Sequence, residues 1–258
     1  MRSLYTAATG MTAQQMRIDN IANNLANVST NGFKKSRETF EDLIYQQYPV
    51  GSDNLQNQRP VNLEVGSGTR VVAMQRDFTT GDLTYTGSQF DLAIGGRGFF
   101  QVQDMNGNQR FTRAGRFQVN ANGEMVTMNG MSLQPNIFIP DDAERVIINE
   151  DGSVRVTYPN DSSETTVGQI QLVEFLNPAG LQSVGGNLFQ ATPESGQQMF
   201  MDPGDGFVNI QQGFIESSNV DIAEELINMV VAQRAFELNS KAIEASDEML
   251  QTVTQLKR

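Results

Sequence analysis

The chain has 258 residues, 18 of them basic and 30 acidic, for a net charge of −12. That length suits one large domain or two small ones with buried cores, and the negative balance argues against nucleic acid as a partner. Cysteine, histidine and tryptophan are absent, which removes thiol nucleophiles, imidazole bases, disulfides and Cys/His zinc sites.

The opening run Met1–Gly10 lacks the apolar stretch of roughly 7–15 residues that a cleaved signal carries. No window approaches about 18 consecutive apolar residues. Neither a cleaved leader nor membrane insertion is expected.

Charge divides the chain into three parts: net +1 over residues 1–45, −9 over 46–212 and −4 over 213–258. In the first part Leu4, Met11, Ile18 and Leu25 recur every seven residues, and Ala7, Ile21 and Val28 follow three residues behind. Such a stripe predicts a helix packed along a helical partner. Gly10 weakens it by about 1 kcal/mol relative to alanine. Gly32 suits the left-handed position that ends a helix, with Phe33 folding back onto the last turn.

Residues 46–63 are rich in Gln, Asn, Ser, Gly and Pro and read as an extended polar arm without a core of its own. The middle then changes texture. Asn122-Gly123, Asn129-Gly130 and Asp151-Gly152 are hairpin dipeptides. The runs 99–103, 116–120, 124–128, 146–148, 154–158 and 169–175 read as strands, which predicts an all-β domain of barrel or sandwich type.

The C-terminal part is a stronger helix. Ile222, Met229, Phe236, Ile243 and Leu250 form a strict seven-residue column, Asn219 or Asp221 is placed to cap it, and no Pro or Gly follows Ile215. A helix over 221–256 would be about 54 Å long. Strict heptads at both ends point to pairing with each other and with other copies; packing on the β domain of the same chain is the alternative.

Candidate chemistry is sparse. Gly95, Gly96 and Gly98 fit neither dinucleotide nor P-loop spacing and read as close backbone packing. Asp104–Asn108 and Asp202–Gly206 start like calcium loops but lack the later ligands, and read as turns. Serines have no histidine to activate them, and no pair of carboxylates stands out. No catalytic residue, metal or cofactor is expected.

Residues 21–34 (Ile-Ala-Asn-Asn-Leu-Ala-Asn-Val-Ser-Thr-Asn-Gly-Phe-Lys) resemble the N-terminal signature of bacterial flagellar rod and hook proteins. Ser217–Asp221, Met229–Glu237 and Asn239–Lys241 resemble their C-terminal signature. In the middle, Gly66–Arg70, Asp91–Ile94, Gly98–Val102 and Phe111–Gly115 resemble the distal-rod branch of the family. Phe236 departs from the tyrosine often found there.

The resemblance implies an α+β chain: long terminal helices forming a coiled-coil-like inner domain (1–45 with 213–258), an extended arm (46–70), and an inserted barrel- or sandwich-like outer domain (71–212). It implies a structural subunit, not an enzyme, that leaves the cell through the flagellar export apparatus without a cleaved signal. In the basal body it polymerises into a hollow rigid shaft spanning the periplasm and carrying motor torque to the hook. Implied partners are itself, the proximal rod proteins, the hook protein and the cell-wall and outer-membrane bushing rings. The self-assembly residues are then Leu4, Met11, Ile18, Ile21, Leu25, Val28, Ile222, Met229, Phe236, Ile243 and Leu250. A proximal-rod or hook-type protein is the nearest alternative; a secreted carboxylate hydrolase or a secreted coiled-coil binder is the alternative from another class.

In such a shaft the arm at 46–63 is expected to order against neighbouring subunits and brace them, offsetting an ordering cost of roughly 1–2 kcal/mol per residue. Deleting residues 46–63 should give rods that bend more, read from their curvature in electron micrographs; straight rods of unchanged stiffness would contradict the brace.

Overall fold

The computed structural model describes residues 2–48, 63–159, 161–204 and 208–256. The chain divides into two compact units: residues 1–26, 36–75 and 221–258 in one, and 27–35 with 76–220 in the other.

The first unit holds both long helices, α1 (Arg2–Ala26) and α2 (Ile222–Leu256). At 1.5 Å per residue, the 35 residues of α2 span about 52 Å. Asp221 caps α2: its carboxylate accepts from the amides of Ala223 (2.8 Å) and Glu224 (3.2 Å), and Glu224 and Glu225 occupy the positive first turn. Among the described residues, four strands complete this unit as two pairs. β1 (Ser36–Asp42) lies beside β4 (Thr69–Arg76), and β2 (Gln46–Tyr48) pairs with β3 (Leu63–Val65).

Three sequence expectations change here. First, α1 stops at Ala26, because Thr30 turns back on Asn27 through both its amide and its hydroxyl. Val28 therefore lies outside the helix. Second, Gly32 does take positive φ (+69°), but Phe33 is buried in the second unit, where the Arg76 guanidinium sits 5.8 Å from its ring centre. Third, residues 36–42, expected within the helical end, form a strand. The arm expected at 46–63 is anchored by the β2–β3 pairing at its two ends, and residues 49–62 lie outside the described residues.

The second unit contains β5 (Leu83–Tyr85), β6 (Leu92–Gly95), β7 (Phe99–Gln103), β8 (Gln109–Thr112), β9 (Phe117–Val119), β10 (Met125–Thr127), β11 (Ser132–Gln134), β12 (Arg145–Ile148), β13 (Ser153–Tyr158), β14 (Asp161–Gln169), β15 (Leu172–Phe175), β16 (Gln182–Gly185), β17 (Leu188–Gln190), β18 (Gln198–Met201), β19 (Asn209–Gln212) and β20 (Phe214–Glu216). The three predicted dipeptides make the turns of β9–β10, β10–β11 and β12–β13, each with its glycine at φ near +80°. The run at 169–175 is split: Gln169 ends β14, Leu172 begins β15, and Ile170 between them is buried.

The strand β7 organises the largest sheet. It pairs along one edge with β8, and along the other with β15 at its start (Phe99↔Val173, Phe100↔Leu172) and β11 at its end (Gln101↔Gln134 to Gln103↔Ser132). Side chains alternate across a strand, so Phe100 and Val102 enter the main core with Leu92, Met125, Leu133 and Leu172. Phe99 enters a second, aromatic core with Phe78, Phe111, Phe175 and Phe189. Rings there meet edge to face at centroid distances from 4.8 Å (Phe111–Phe175) to 6.0 Å (Phe99–Phe175), a favoured aromatic arrangement.

Two glycines separate conformational cost from spatial cost. Gly32 (φ +69°) and Gly130 (φ +78°) share the left-handed conformation, but a Cβ on Gly32 would meet the Ala114 nitrogen at 2.7 Å, whereas one on Gly130 would meet nothing within 4 Å. Both alanine variants share the backbone cost of about 1–2 kcal/mol. Gly32→Ala should lose a further 1–3 kcal/mol or so from the forced displacement, measured by denaturant unfolding; equal losses at the two sites would contradict this reading.

Candidate self-assembly interface

The two helices pack antiparallel, with one register along their length. Ser246 Oγ lies 3.3 Å from Ser3 Oγ, and a Cβ on Gly10 would stand 3.0 Å from the Asn239 amide. Asn24 donates to Glu225 Oε1 at 3.5 Å. Each step of seven or fourteen residues along α1 is matched by an equal step back along α2. The buried positions are small or polar: Ala7, Ala13, Asn20 and Asn24 with Ile21 on α1, and Glu225, Ala232 and Ser246 on α2. Small residues bring the backbones close.

Asn20 and Asn24 give the seam a polar end. Asn24 spans Ser36, donating to its carbonyl (2.9 Å) and accepting from its amide (3.0 Å). Asn20 donates to the same carbonyl (2.8 Å) and to Glu38 (2.6 Å), whose carboxylate also meets Arg17 at 3.2 Å. These bonds fix the first residues of β1 against α1. They went unread in the sequence because their partners lie 12 to 18 residues away.

Of the residues expected to drive assembly, Ile21 is buried and Leu4, Met11, Ile18, Leu25, Met229, Phe236 and Ile243 are half-buried. Ile222 (50% exposed) and Leu250 (37%) lie open near the ends of α2, and Val28 belongs to the other unit.

A second apolar stripe on α2 went unread. Val231, Leu238 and Ala245 form one seven-residue column, and Ala235, Ala242, Met249 and Leu256 form its neighbour. The stripe runs about 100° around the helix from Ala232. Val231, Leu238, Met249 and Leu256 are 52–82% exposed. Its signal was present as a second heptad column, masked by the stricter one.

The β-rich unit holds a buried ion cluster that sequence reasoning also missed. Lys34, Arg113 and Glu216 are each at most 2% exposed. Glu216 accepts from Lys34 and the Gly81 amide (2.9 Å) at one oxygen and from Arg113 (3.4 Å) at the other. Lys34 also donates to the Thr79 carbonyl, and Arg113 to that of Gly96 (2.8 Å). Burial pushes the Lys34 ammonium below the ordinary lysine range, while the Glu216 carboxylate opposes the shift; the same two effects act on Arg113. The cluster is closed to solvent and its carboxylate is fully engaged, so it works as an internal tie.

The fold consists of paired terminal helices and a β-rich unit inserted between them in the sequence. Three family descriptions match in chain order: "Flagella basal body rod protein" over residues 4–34, "Flagellar hook protein FlgE/F/G D1 domain" over 93–156, and "Flagellar basal body rod FlgEFG protein C-terminal" over 211–256. Full-length relatives narrow the class. The flagellar basal-body rod protein FlgG of Borreliella burgdorferi is 46% identical over 100% of this chain and 99% of its own. That of Buchnera aphidicola (subsp. Acyrthosiphon pisum) is 45% identical over 98% and 99%, and that of Bacillus subtilis 39% over 100% of both. The chain belongs to the flagellar basal-body rod FlgG family: it is a structural subunit of the distal rod, in the basal body, and not an enzyme. A solved structure, the Helicobacter pylori hook protein FlgE2, shares 14% identity over 71% of this chain and 43% of its own with a TM-score of 0.26, too distant to bear on the argument.

Removing the central carboxylate tests the ion cluster. Glu216→Gln leaves Lys34 and Arg113 as neighbouring buried cations, so the β-rich unit should lose about 3–5 kcal/mol in denaturant unfolding. Adding Lys34→Met should recover part of the loss through coupling; a single-variant loss below about 1 kcal/mol would contradict the assignment.

Proposed function

We propose that this subunit polymerises helically through its terminal helices into a hollow, rigid shaft that carries motor torque to the hook. The helices form a coiled-coil-like inner layer and the β-rich unit an outer layer. Export through the flagellar apparatus without a cleaved signal, a path across the periplasm, and contacts with proximal rod proteins, the hook protein and the bushing rings belong to the same reading. So does the brace formed by residues 46–63.

The observation that carries it is the pair of faces on α2. One face is occupied by α1 in the same chain. The other, through Val231, Leu238, Met249 and Leu256, repeats the same seven-residue period with nothing over it among the described residues. A helix with two heptad faces suits a continuous array, because the second face takes the helix of another copy. Fully burying a side chain of this size gives about 1.5–3 kcal/mol, and the gain repeats at every subunit. The contact is heterologous, so it propagates as an open helix.

The double variant Leu238→Glu, Met249→Glu in the full chain tests this. Polymers visible by electron microscopy at high concentration should disappear, while the unfolding transition of the β-rich unit stays in place. Polymers as abundant as those of the unsubstituted chain would overturn the proposal.

A further inference from the structure

The β-rich unit has a groove and a knob at opposite ends of one strand. The groove, about 710 Å³ in volume, lies at the start of β7. Phe78, Phe99, Phe175, Leu176 and Met199 line it, with Arg97, Arg113 and Glu174 as its charged members. The register explains why they meet: β15 pairs with the start of β7 only through Leu172 and Val173, so Glu174 and Phe175, still paired with Met199 and Gln198 of β18, and Leu176 run past the start of β7. Leu176 is 85% exposed.

At the other end of β7 the chain turns through Asp104–Asn108 into β8. This is the segment that opens like a calcium loop in the sequence, and the structure makes it a tight turn. Asp104 accepts from the Met105 amide (2.8 Å) and the Asn106 side chain (3.1 Å), and its carbonyl accepts from the Gly107 amide (2.8 Å). Gln103 closes the turn by donating to the Gly107 carbonyl at 3.1 Å. Four bonds thus hold a turn whose apex side chain, Met105, is 93% exposed. Met128, in the turn before β11, is also exposed and lies at this same end, because Ser132 pairs with Gln103.

We infer that Met105 of one copy seats in the groove of the next, making a head-to-tail contact between β-rich units. The proposal rests on the self-assembly reading above and adds a second contact, away from the helices. Knob and groove cannot meet within one molecule. From Phe99 to Met105 is six residues, about 20 Å at 3.3 Å per residue, and β7 between them is fixed on both edges. They are complementary in kind. A flexible, polarisable thioether fits a groove whose open wall is Leu176 and Met199 over a floor of buried aromatic rings. Asp104 beside Met105 faces Arg97 at the groove, and the Asn106 and Asn108 amides supply donors for Glu174. A knob at one end and a groove at the other form a heterologous pair, which propagates along the strand direction and does not close a dimer. One such contact is small, but a polymer repeats it at every subunit, where effective concentration makes weak contacts count.

The chain has no cysteine, so the contact is open to a clean cross-linking test. Met105→Cys and Leu176→Cys are prepared as separate full-length variants, both at exposed positions and so expected to unfold like the parent. They are mixed in equal amounts, allowed to polymerise, and oxidised. The expected product is the mixed disulfide dimer, formed in the polymer and absent from the dilute mixture, with little dimer of Met105→Cys with itself. Polymers that form without the mixed product, or that give mainly the Met105→Cys self-dimer, would overturn the contact and leave helix-driven assembly standing. An unsubstituted chain that never polymerises would remove the assembly reading and this contact with it.

Discussion

A single buried carboxylate fixes where the chain enters and leaves the β-rich unit. Glu216 lies on the last strand of that unit, Lys34 on its first segment, and 182 residues of sequence separate them. The Gly32 amide donates to the Glu216 carbonyl at 2.8 Å, so backbone and side chain tie the two points together. Arg113 closes the third side and holds the Gly96 carbonyl next to the aromatic core. Burying three charges is costly, and an apolar replacement of the same shape is often as stable. What the charges add is direction: a carboxylate with three donors accepts one arrangement of strands, whereas an apolar cluster accepts several. Asn219 serves the same junction from the exit side, accepting from the Lys35 amide at 2.7 Å and donating to the Asp77 carbonyl at 2.9 Å.

The helical unit solves a different problem. A lone helix gains little from its own hydrogen bonds in water, and most helical stability in proteins comes from packing one face. Here α1 and α2 cover one face of each other through small side chains, Ala7, Ala13, Ala232 and Ser246. Such a seam brings backbones close and leaves most of the larger apolar side chains, such as Leu4, Met11, Met229 and Phe236, only half-buried. Val231, Leu238, Met249 and Leu256 stand on the open face of α2. This division suits a subunit whose helices gain most of their burial from neighbours.

Polymers of this kind need contacts that do not close on themselves. An apolar stripe on one helix face, and a knob and groove at the two ends of β7, both have that property. They differ in what they resist: helix seams resist separation over a long line, whereas a turn seated in a groove resists sliding at a point. In the proposed shaft, loaded in torsion, both would contribute. The aromatic core beneath the groove, with Phe99, Phe175 and Phe78 locked edge to face, gives the groove a stiff floor.

Local patterns carried much of this into the sequence. The heptad columns of α1 and α2, the Asp221 cap, the three hairpin glycines and strand β7 all follow from periodicity or from the conformational freedom of one residue, and both can be read within a few positions. The signatures at 21–34 and 217–241 named the family for the same reason. Tertiary structure alone decided what depends on distant partners. It ended α1 at Ala26, because residues 27–35 gain more by joining the β-rich unit through Gly32, Phe33 and Lys34. It made 36–42 a strand, because β4 and Asn24 were there to pair with it. It set Lys34, Arg113 and Glu216 in one closed cluster, and it put Met105 and Leu176 at opposite ends of one strand. No spacing rule announces these features: a charge learns its partner, and an exposed side chain its place, only once the chain has folded.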